Sequence, residues 1–255
     1  PTYYRVLNLA TSTFNDARTS YYLKSVGGYS AAKLRRYQDL IDEHISRMNW
    51  SVLNMLNTKY IITREDASTP AYLRGQGGVV HANPDAYGNC WFVDSLVFVN
   101  NANAESDALR TLDLRHVAVA DTSLAVNRSL SALESHRDFT ETSPKHGEDV
   151  TLLSYAPNKL VYRSETTADH LVVFSEIFYP YGWHATVDGQ ATDIFRVNYM
   201  LRALNVPAGN HEIVFSFDPE SVKKGNQLSL VCLVLFLLTL CGVVGYKVYS
   251  RRKQQ

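Results

Sequence analysis

The chain has few cysteines, and their positions exclude a disulfide within its polar part. It contains three among 255 residues. Cys232 and Cys241 fall inside a long apolar run near the C-terminus, which leaves Cys90 alone in the rest of the chain. Because an internal disulfide needs two cysteines, this part must fold without one, and cysteine usage says nothing about the compartment.

An excess of charge of one sign is also lacking. Lys and Arg together number 25, and Asp and Glu together also number 25. Nucleic-acid-binding domains usually carry a basic patch and a high isoelectric point. The balanced charge therefore argues against a nucleic-acid partner.

The motifs of common catalytic and metal sites are absent from the sequence. There is no G-x-S-x-G, no H-E-x-x-H and no closely spaced cysteine pair, and none of the eight histidines lies three or four residues from another. We therefore assign no catalytic residue, no metal ligand and no cofactor to this chain. The chain alone does not show a complete active site, and whether the full-length protein is an enzyme stays open at this point.

What the sequence does have is a long apolar run near its C-terminus. Residues 228–246 contain no charged side chain. Because about 20 apolar residues cross a bilayer as a helix, the run predicts a transmembrane helix. A buried helix of a globular domain would show a polar stripe, which this run lacks. Four basic residues follow the run and two precede it. The positive-inside rule then places the C-terminus in the cytoplasm and the residues before about 222 outside the cytoplasmic membrane.

The N-terminus shows no signal peptide, because no charged start is followed by an apolar segment. A region outside the membrane must then be delivered by a segment further upstream. We therefore expect the chain to be the C-terminal piece of a longer, multi-pass protein of the cell membrane.

Residues 1–147 are predicted to form an extracytoplasmic α/β domain. The strand-like segments YRVLNLA, KYIITR and CWFVDSLVFV alternate with the helix-like segments SVLNMLN and NAESDALRTL. The clearest helix is predicted over SAAKLRRYQDLIDEHI, in which Leu34, Tyr37, Ile41 and Ile45 recur at helical spacing and Ser30 is the expected N-cap. The polar segment TETSPKHGED marks the expected end of this domain.

Residues 148–222 are predicted to form a small antiparallel β-sandwich. Short strand-like segments, from KLVYRSE to HEIVFSF, are separated by turn sequences. Asp188-Gly189 indicates a two-residue hairpin. Ile213, Phe215 and Phe217 alternate along the last strand and are expected to face the core. With residues 223–255 as the span and its basic tail, the predicted fold class is α+β with one transmembrane helix.

A basic segment near the N-terminus suggests an anion site. Three of its cations fall at the predicted start of the helix, where the helix macrodipole disfavours positive charge. Such a conflict is expected where function outweighs stability, and free amides at helix N-termini bind phosphate. The hypothesis is a phosphate or pyrophosphate site formed by Lys24, Gly27, Gly28, Lys33, Arg35 and Arg36. The alternative is a solvated basic surface near anionic lipid headgroups.

The turn sequence IFYPYGWHATVDG suggests a sugar contact. Tyr179, Tyr181 and Trp183 cluster around this turn at one end of the predicted sandwich. Amphipathic aromatic rings suit carbohydrate contact. The alternative is that Trp183 fills the sandwich core while the two tyrosines cap it.

Four stretches together resemble the C-terminal part of bacterial YfhO-type membrane proteins. They cover nearly the whole chain: NDARTSYYLKSVGGYSAAKLRRYQDLI, LNMLNTKYII, FSEIFYPYGWHATVDG and RVNYMLRALNVPAGNHEIVFSFDP. The resemblance implies a large polytopic protein similar to GT-C glycosyltransferases, which use polyprenyl-phosphate sugars. Family members are implicated in glycosylating cell-envelope polymers such as teichoic acids. The resemblance also implies that the catalytic acid lies in an early loop outside this chain, so no catalytic residue is carried over.

The sequence thus predicts the extracytoplasmic C-terminal region and last span of an envelope glycosyltransferase. Its expected partners are the lipid bilayer, a polyprenyl-phosphate-linked sugar and an envelope glycopolymer acceptor. This region would recognise the acceptor or the donor headgroup. Two alternatives stay open: a non-catalytic, membrane-anchored carbohydrate-binding module, and a structural scaffold.

Overall fold

The computed structural model describes residues 3–64, 73–75, 78–124 and 148–253. Short helices alternate with short strands before residue 124, whereas strands dominate from residue 149 to residue 217. One long apolar helix follows at the C-terminus. The predicted α+β fold class with a C-terminal candidate span is therefore confirmed.

The N-terminal segment contains two small sheets and several one- or two-turn helices. β1 and β2 are parallel, β4 and β3 extend their sheet antiparallel, and β6 and β7 form a separate parallel pair. The elements are β1 (Arg5–Asn8), α1 (Arg18–Tyr22), α2 (Arg35–Leu40), a π-helical turn (Ile41–Ile45), α3 (Trp50–Met55), β2 (Thr58–Thr63), β3 (Leu73–Gly75), β4 (Gly78–Ala82), β5 (Cys90–Val93), β6 (Ser95–Val99), α4 (Ala102–Ala108) and β7 (Val117–Asp121).

The helix that the sequence predicts from Ser30 begins instead at Arg35, with Leu34 as its N-cap in extended conformation. Residues 24–26 run beside β1, where the Val26 amide donates to the Val6 carbonyl at 3.1 Å, and the Gly28 amide donates to the Thr13 carbonyl at 2.8 Å. Because those backbone groups are already paired, a linking loop must follow before the helix can begin. The Ser30 N-cap prediction is therefore wrong.

The segment CWFVDSLVFV, predicted as one strand, is divided at Asp94 into β5 and β6. β5 pairs with β10 of the sandwich, whereas β6 pairs with β7. The polar pair Asp94-Ser95 interrupts two continuous apolar runs, and it is the local sign of the break.

The C-terminal strands form the two antiparallel sheets of a sandwich. One sheet has the order β12-β11-β15-β9-β8 and the other the order β13-β14-β10-β5. Asp188 (φ 50°) and Gly189 (φ 80°) close the β11–β12 hairpin as predicted. The strands are β8 (Asp149–Ala156), β9 (Lys159–Thr166), β10 (His170–Ile177), β11 (Trp183–Val187), β12 (Gln190–Thr192), β13 (Phe195–Val197), β14 (Leu201–Val206) and β15 (Gly209–Phe217).

Aromatic side chains fill the space between the two sheets. The Phe215 ring packs edge-on against Phe174 at a centroid distance of 4.9 Å and against Tyr162 at 5.9 Å. Ile213 and Phe215 are fully buried, as the alternation along β15 predicts, and Phe217 is half-buried at the end of the strand.

A second core lies on the outer face of the β13-β14-β10-β5 sheet. Leu171, Val173 and Leu201 from this sheet pack in one cluster with side chains of the N-terminal segment, among them Leu7 and Val52. The two segments thus share a sheet through β5 and share this core. Their division at residues 147/148 stays a prediction, and the expected boundary segment lies outside the described residues.

The long helix α5 spans Glu220–Arg252, which is 33 residues. At 1.5 Å per residue it is about 50 Å long, more than the roughly 30 Å of a hydrocarbon core. Its apolar side chains are exposed to their surroundings rather than packed against the globular part. This helix supports membrane localisation.

Candidate functional site

One end of the sandwich, called here the helix end, is where β10 stops, β11 starts and β15 leads into α5. The turn between β10 and β11, residues 178–182, is called here the aromatic turn. It is fixed to the start of α5, because the Asp218 amide donates to the Gly182 carbonyl at 2.7 Å. Gly182 has a φ of 83°, and a Cβ there would lie 2.7 Å from the Cβ of Pro219. A side chain at position 182 would therefore force the turn away from the helix.

The three aromatic residues predicted as a sugar contact all lie at this end, but in two environments. Tyr179 and Tyr181 are 39% and 69% exposed, and their rings meet edge-on at 5.6 Å. Trp183 is half-buried, with its ring 5.2 Å from that of Phe217. The two tyrosines thus face outward while Trp183 packs on the sandwich core.

Arg202 holds Trp183 from the interior. Its guanidinium carbon lies 3.9 Å from the Trp183 ring centroid, and its Nε donates to the Ile177 carbonyl at 3.0 Å. The side chain is buried, and this burial lowers its pKa to about 10. Sequence reasoning missed Arg202, although the signal was available as a charged residue within the mainly apolar segment MLRALNV.

Two cavities lie on either side of the aromatic turn, and both are bordered by Tyr179, Pro180 and His184. The first has a volume of about 460 Å³ and lies along β11 and β12, where Asp193 adds a carboxylate. The second has a volume of about 540 Å³ and lies against the start of α5, with Asp218 in its wall. Both volumes fall within the roughly 300–1,000 Å³ range of small-molecule sites.

A third cavity, of about 450 Å³ and called here the glycine–lysine cavity, contains part of the predicted anion site. Gly27, Gly28 and Lys33 line it together with Ile177 at the end of β10. A Cβ at Gly27 would lie 2.2 Å from a backbone oxygen, so only glycine fits. The Gly27 amide donates to a serine hydroxyl at 3.0 Å and the Gly28 amide to a carbonyl at 2.8 Å. Both amides are thus engaged within the protein.

The other predicted anion ligands have different neighbours. Lys24 lies over the ring of Tyr155, with its Nζ 2.9 Å from the centroid, and burial lowers its pKa to about 8. Arg35 is paired with Asp39 at 2.9 Å, one helical turn further on. Lys33 makes no ion pair within the described residues. The structure therefore brings Gly27, Gly28 and Lys33 to one cavity, whereas Lys24, Arg35 and Arg36 point elsewhere.

Arg36 belongs to a buried ion network that the sequence did not reveal. Glu105 Oε2 accepts from Arg36 at 3.2 Å and from Arg196 at 3.1 Å. Asp121 lies 3.7 and 3.4 Å from the same two guanidinium groups. Burial raises the pKa of the Glu105 carboxyl, and the two arginines oppose that rise. The four charges balance, so the helix-start arginine serves a tertiary contact.

The two candidate sites meet at the end of β10. Ile177 lines the glycine–lysine cavity, and Tyr179, two residues later, borders both cavities of the aromatic turn. More than 140 residues of sequence separate Lys33 from Tyr179. The sheet therefore places an uncommitted cation and exposed aromatic rings at one end of the sandwich, beside the start of α5.

Comparisons with known proteins give one family match. The family described as bacterial membrane protein YfhO matches residues 112–229, a little under half of the chain. The matched segment runs from before β7 through both sheets of the sandwich into α5. No curated protein and no solved structure shows significant similarity to the chain. The family match confirms the resemblance seen in the sequence.

Proposed function

We propose, starting from the YfhO-family segment at residues 112–229, that this chain is an extracytoplasmic recognition region and a membrane span of a membrane glycosyltransferase. In this proposal the residues before about 222 lie outside the cytoplasmic membrane and the C-terminal tail lies in the cytoplasm. The region binds a polyprenyl-phosphate-linked sugar or an envelope glycopolymer acceptor. Glycosyl transfer itself takes place at a catalytic acid that this chain does not contain.

The observation that carries the proposal is the position of the aromatic turn. Gly182 in this turn contacts Pro219 directly, and the apolar run starts at Leu228. Nine residues of helix place the turn about 13 Å above the hydrocarbon edge. The polar headgroup layer occupies roughly 5–8 Å of that distance. The head of a lipid-linked sugar projects into the remaining space, next to the two cavities.

Each group at this site has a distinct role in the proposal. The exposed rings of Tyr179 and Tyr181 stack on a sugar ring, because apolar sugar faces and aromatic faces pack well. His184 and Asp193, on the walls of the cavities, hydrogen-bond sugar hydroxyls. Lys33 in the adjoining cavity attracts the phosphate as a point charge. Trp183 fixes the shape of the turn from within.

The test uses the full-length protein in cells that lack their own copy, with envelope glycosylation as the readout. Each lost aromatic contact is worth about 0.5–1.5 kcal/mol. The double variant Tyr179→Ala/Tyr181→Ala should therefore lower transfer by roughly 5- to 150-fold. Trp50, which is also exposed but borders none of the three cavities, is the matched control as Trp50→Ala.

Lys33→Glu should likewise lower transfer, and Lys59→Glu is its control, because the Lys59 side chain is exposed on β2. Thermal melts of every variant separate lost recognition from lost fold. Full transfer by the tyrosine double variant would refute the proposed site. Normal transfer with lost binding of purified glycopolymer would instead favour the carbohydrate-binding module.

A further inference from the structure

The exposed aromatic side chains are concentrated at one place. Among the described residues before α5, those more than one-third exposed are Tyr21, Tyr22, Tyr29, Trp50, Tyr179 and Tyr181. All except Trp50 lie around the glycine–lysine cavity or on the aromatic turn. We call Tyr21, Tyr22 and Tyr29 the tyrosine edge, because Tyr179 and Tyr181 belong to the recognition site proposed above. Tyr21 and Tyr22 are 81% and 80% exposed, which is costly for rings in water.

Contacts within the fold place this edge beside the aromatic turn. α1, which carries Tyr21 and Tyr22, lies against Gly28, since a Cβ there would be 2.9 Å from the Ser20 hydroxyl. Tyr29 follows Gly28 and lines the cavity that Ile177 closes. The chain then continues from Ile177 into the aromatic turn. The tyrosine edge therefore lies at the helix end of the sandwich.

The charge of this segment suits lipid phosphate. Residues 14–40 contain five Lys or Arg and two Asp, of which Arg36 is neutralised in the buried network and Lys24 packs on Tyr155. Lys33 makes no ion pair within the described part of the chain, and Arg35 and Arg18 lie on the surface beside their acidic partners. Basic residues near an anionic membrane surface contribute to its binding, and tyrosines concentrate where one end of the ring is apolar and the other is wet.

The geometry of α5 fixes the distance from the membrane. Its first eight residues, 220–227, are mostly polar and include Lys223 and Lys224. They span about 12 Å, which is the headgroup layer plus one layer of side chains. A tyrosine edge at this end of the sandwich lies at the height of that layer.

We propose that the tyrosine edge lies in the lipid headgroup layer of the membrane that α5 crosses. The tyrosines anchor the globular region at the interface and so fix its orientation. The occupant of this surface is the bilayer itself, chosen because the same chain carries the span and the span starts at the same end. The inference does not depend on glycosyl transfer.

The experiment measures depth in full-length chain reconstituted at one copy per nanodisc of phosphatidylcholine and phosphatidylglycerol. In a Cys232→Ser/Cys241→Ser background, an environment-sensitive fluorophore is attached at Tyr22→Cys, Tyr29→Cys or, as control, Glu165→Cys. The remaining Cys90 is buried, and burial raises the pKa of its thiol far above the ordinary value, so it does not react. Glu165 is exposed and lies at the opposite end of β9, about 20 Å away.

We expect a blue-shifted emission and at least twofold stronger quenching by headgroup-labelled lipid at positions 22 and 29 than at position 165. Equal quenching at the three positions would overturn the proposal. A shift at positions 22 and 29 that appears only with two copies per disc would also overturn it, in favour of a contact between copies.

A second arm guards against damage from a single label. The fluorophore is placed at Lys33→Cys, and Tyr21, Tyr22 and Tyr29 are replaced together by serine. We expect lipid quenching at position 33 to fall at least twofold, with an unchanged melting temperature. Undiminished quenching would show that the tyrosines do not hold the edge in place. Because no arm measures transfer, failure here is distinct from failure of the proposed recognition site.

Discussion

Removal of the Glu105 carboxylate tests whether the buried ion network joins the N-terminal segment to the sandwich. Glu105 lies on α4 and is fully buried. It accepts hydrogen bonds from Arg36 of α2, from Arg196 of β13 and from the Tyr199 amide, the last at 3.1 Å. Glu105→Ala leaves two guanidinium groups with Asp121 as their remaining acidic neighbour.

The expected loss of stability depends on the acidic side chain that remains beside the two arginines. Breaking a buried ion pair by removing one partner costs about 3–5 kcal/mol, because the other charge stays buried without compensation. Asp121 still lies 3.4 and 3.7 Å from the two arginines, so we expect the lower limit, about 3 kcal/mol. At about 2–4 °C per kcal/mol for a region of this size, the melting temperature should fall by about 6–12 °C.

The assay is a near-ultraviolet circular dichroism melt of the full chain in nanodiscs. Asp107→Ala is the matched control, because Asp107 lies on the same helix and pairs with Arg110 at 2.5 Å while it stays exposed. An exposed pair contributes about 0–1 kcal/mol. If both variants lower the melting temperature by the same small amount, the network does not stabilise the junction and our account of Arg36 is wrong.

Three further predictions address the core, the topology and the response to pH. Phe215→Ala should cost about 3–5 kcal/mol, because it empties the centre of the aromatic cluster. Val214→Thr, at the half-buried neighbouring position, should cost much less stability. Equal chemical-denaturation midpoints for the two variants would contradict the strand register. A cysteine at Asn210 should react with a membrane-impermeant maleimide in intact cells and one at Ser250 should not; the reverse pattern would invert the proposed topology. His211 donates to the hairpin carboxylate of Asp188 at 2.6 Å, and this bond raises its pKa. The contribution of this bond to the free energy of unfolding should be complete below about pH 6.5, the pKa of histidine in the unfolded chain. It should be lost as the pH rises through the pKa of His211 in the folded chain. His211→Asn should remove that dependence from melts between pH 5.5 and 8.5, and an unchanged pH slope would exclude the mechanism.

Local sequence signals predicted most of the sandwich. The Asp188-Gly189 pair specifies left-handed conformations that few other residues adopt, so the hairpin follows from two residues. Burial of Ile213 and Phe215 follows from the period of two along a strand. Helical spacing also indicated the helix over residues 35–45, but its start was predicted four residues too early. The pairing of residues 24–26 with β1 is a long-range contact that local pattern does not contain.

The candidate site was predictable in its residue types and less so in its geometry. The tyrosines at positions 179 and 181 stand out in the turn sequence, and they are exposed as a contact surface requires. Trp183 carries the same chemical signal but packs inward over Arg202. Arg36 drew attention because it opposes the helix dipole. Its actual partners, Glu105 and Asp121, lie 69 and 85 residues away, beyond the reach of any spacing argument.

The sequence by itself determined the properties that depend on near neighbours along the chain. The apolar run of α5, the alternation in β15 and the turn at residues 188–189 are of this kind, because each follows from the period of one element or the conformation of one residue. Only the tertiary structure decided that β5 completes a sheet of the sandwich, that Arg36 is neutralised in the interior, and that Lys33 and Tyr179 lie at the same end of the fold. These outcomes depend on which distant surfaces bury one another. Many pairings of a strand or a charge satisfy the same local pattern, and packing of the whole chain selects one of them.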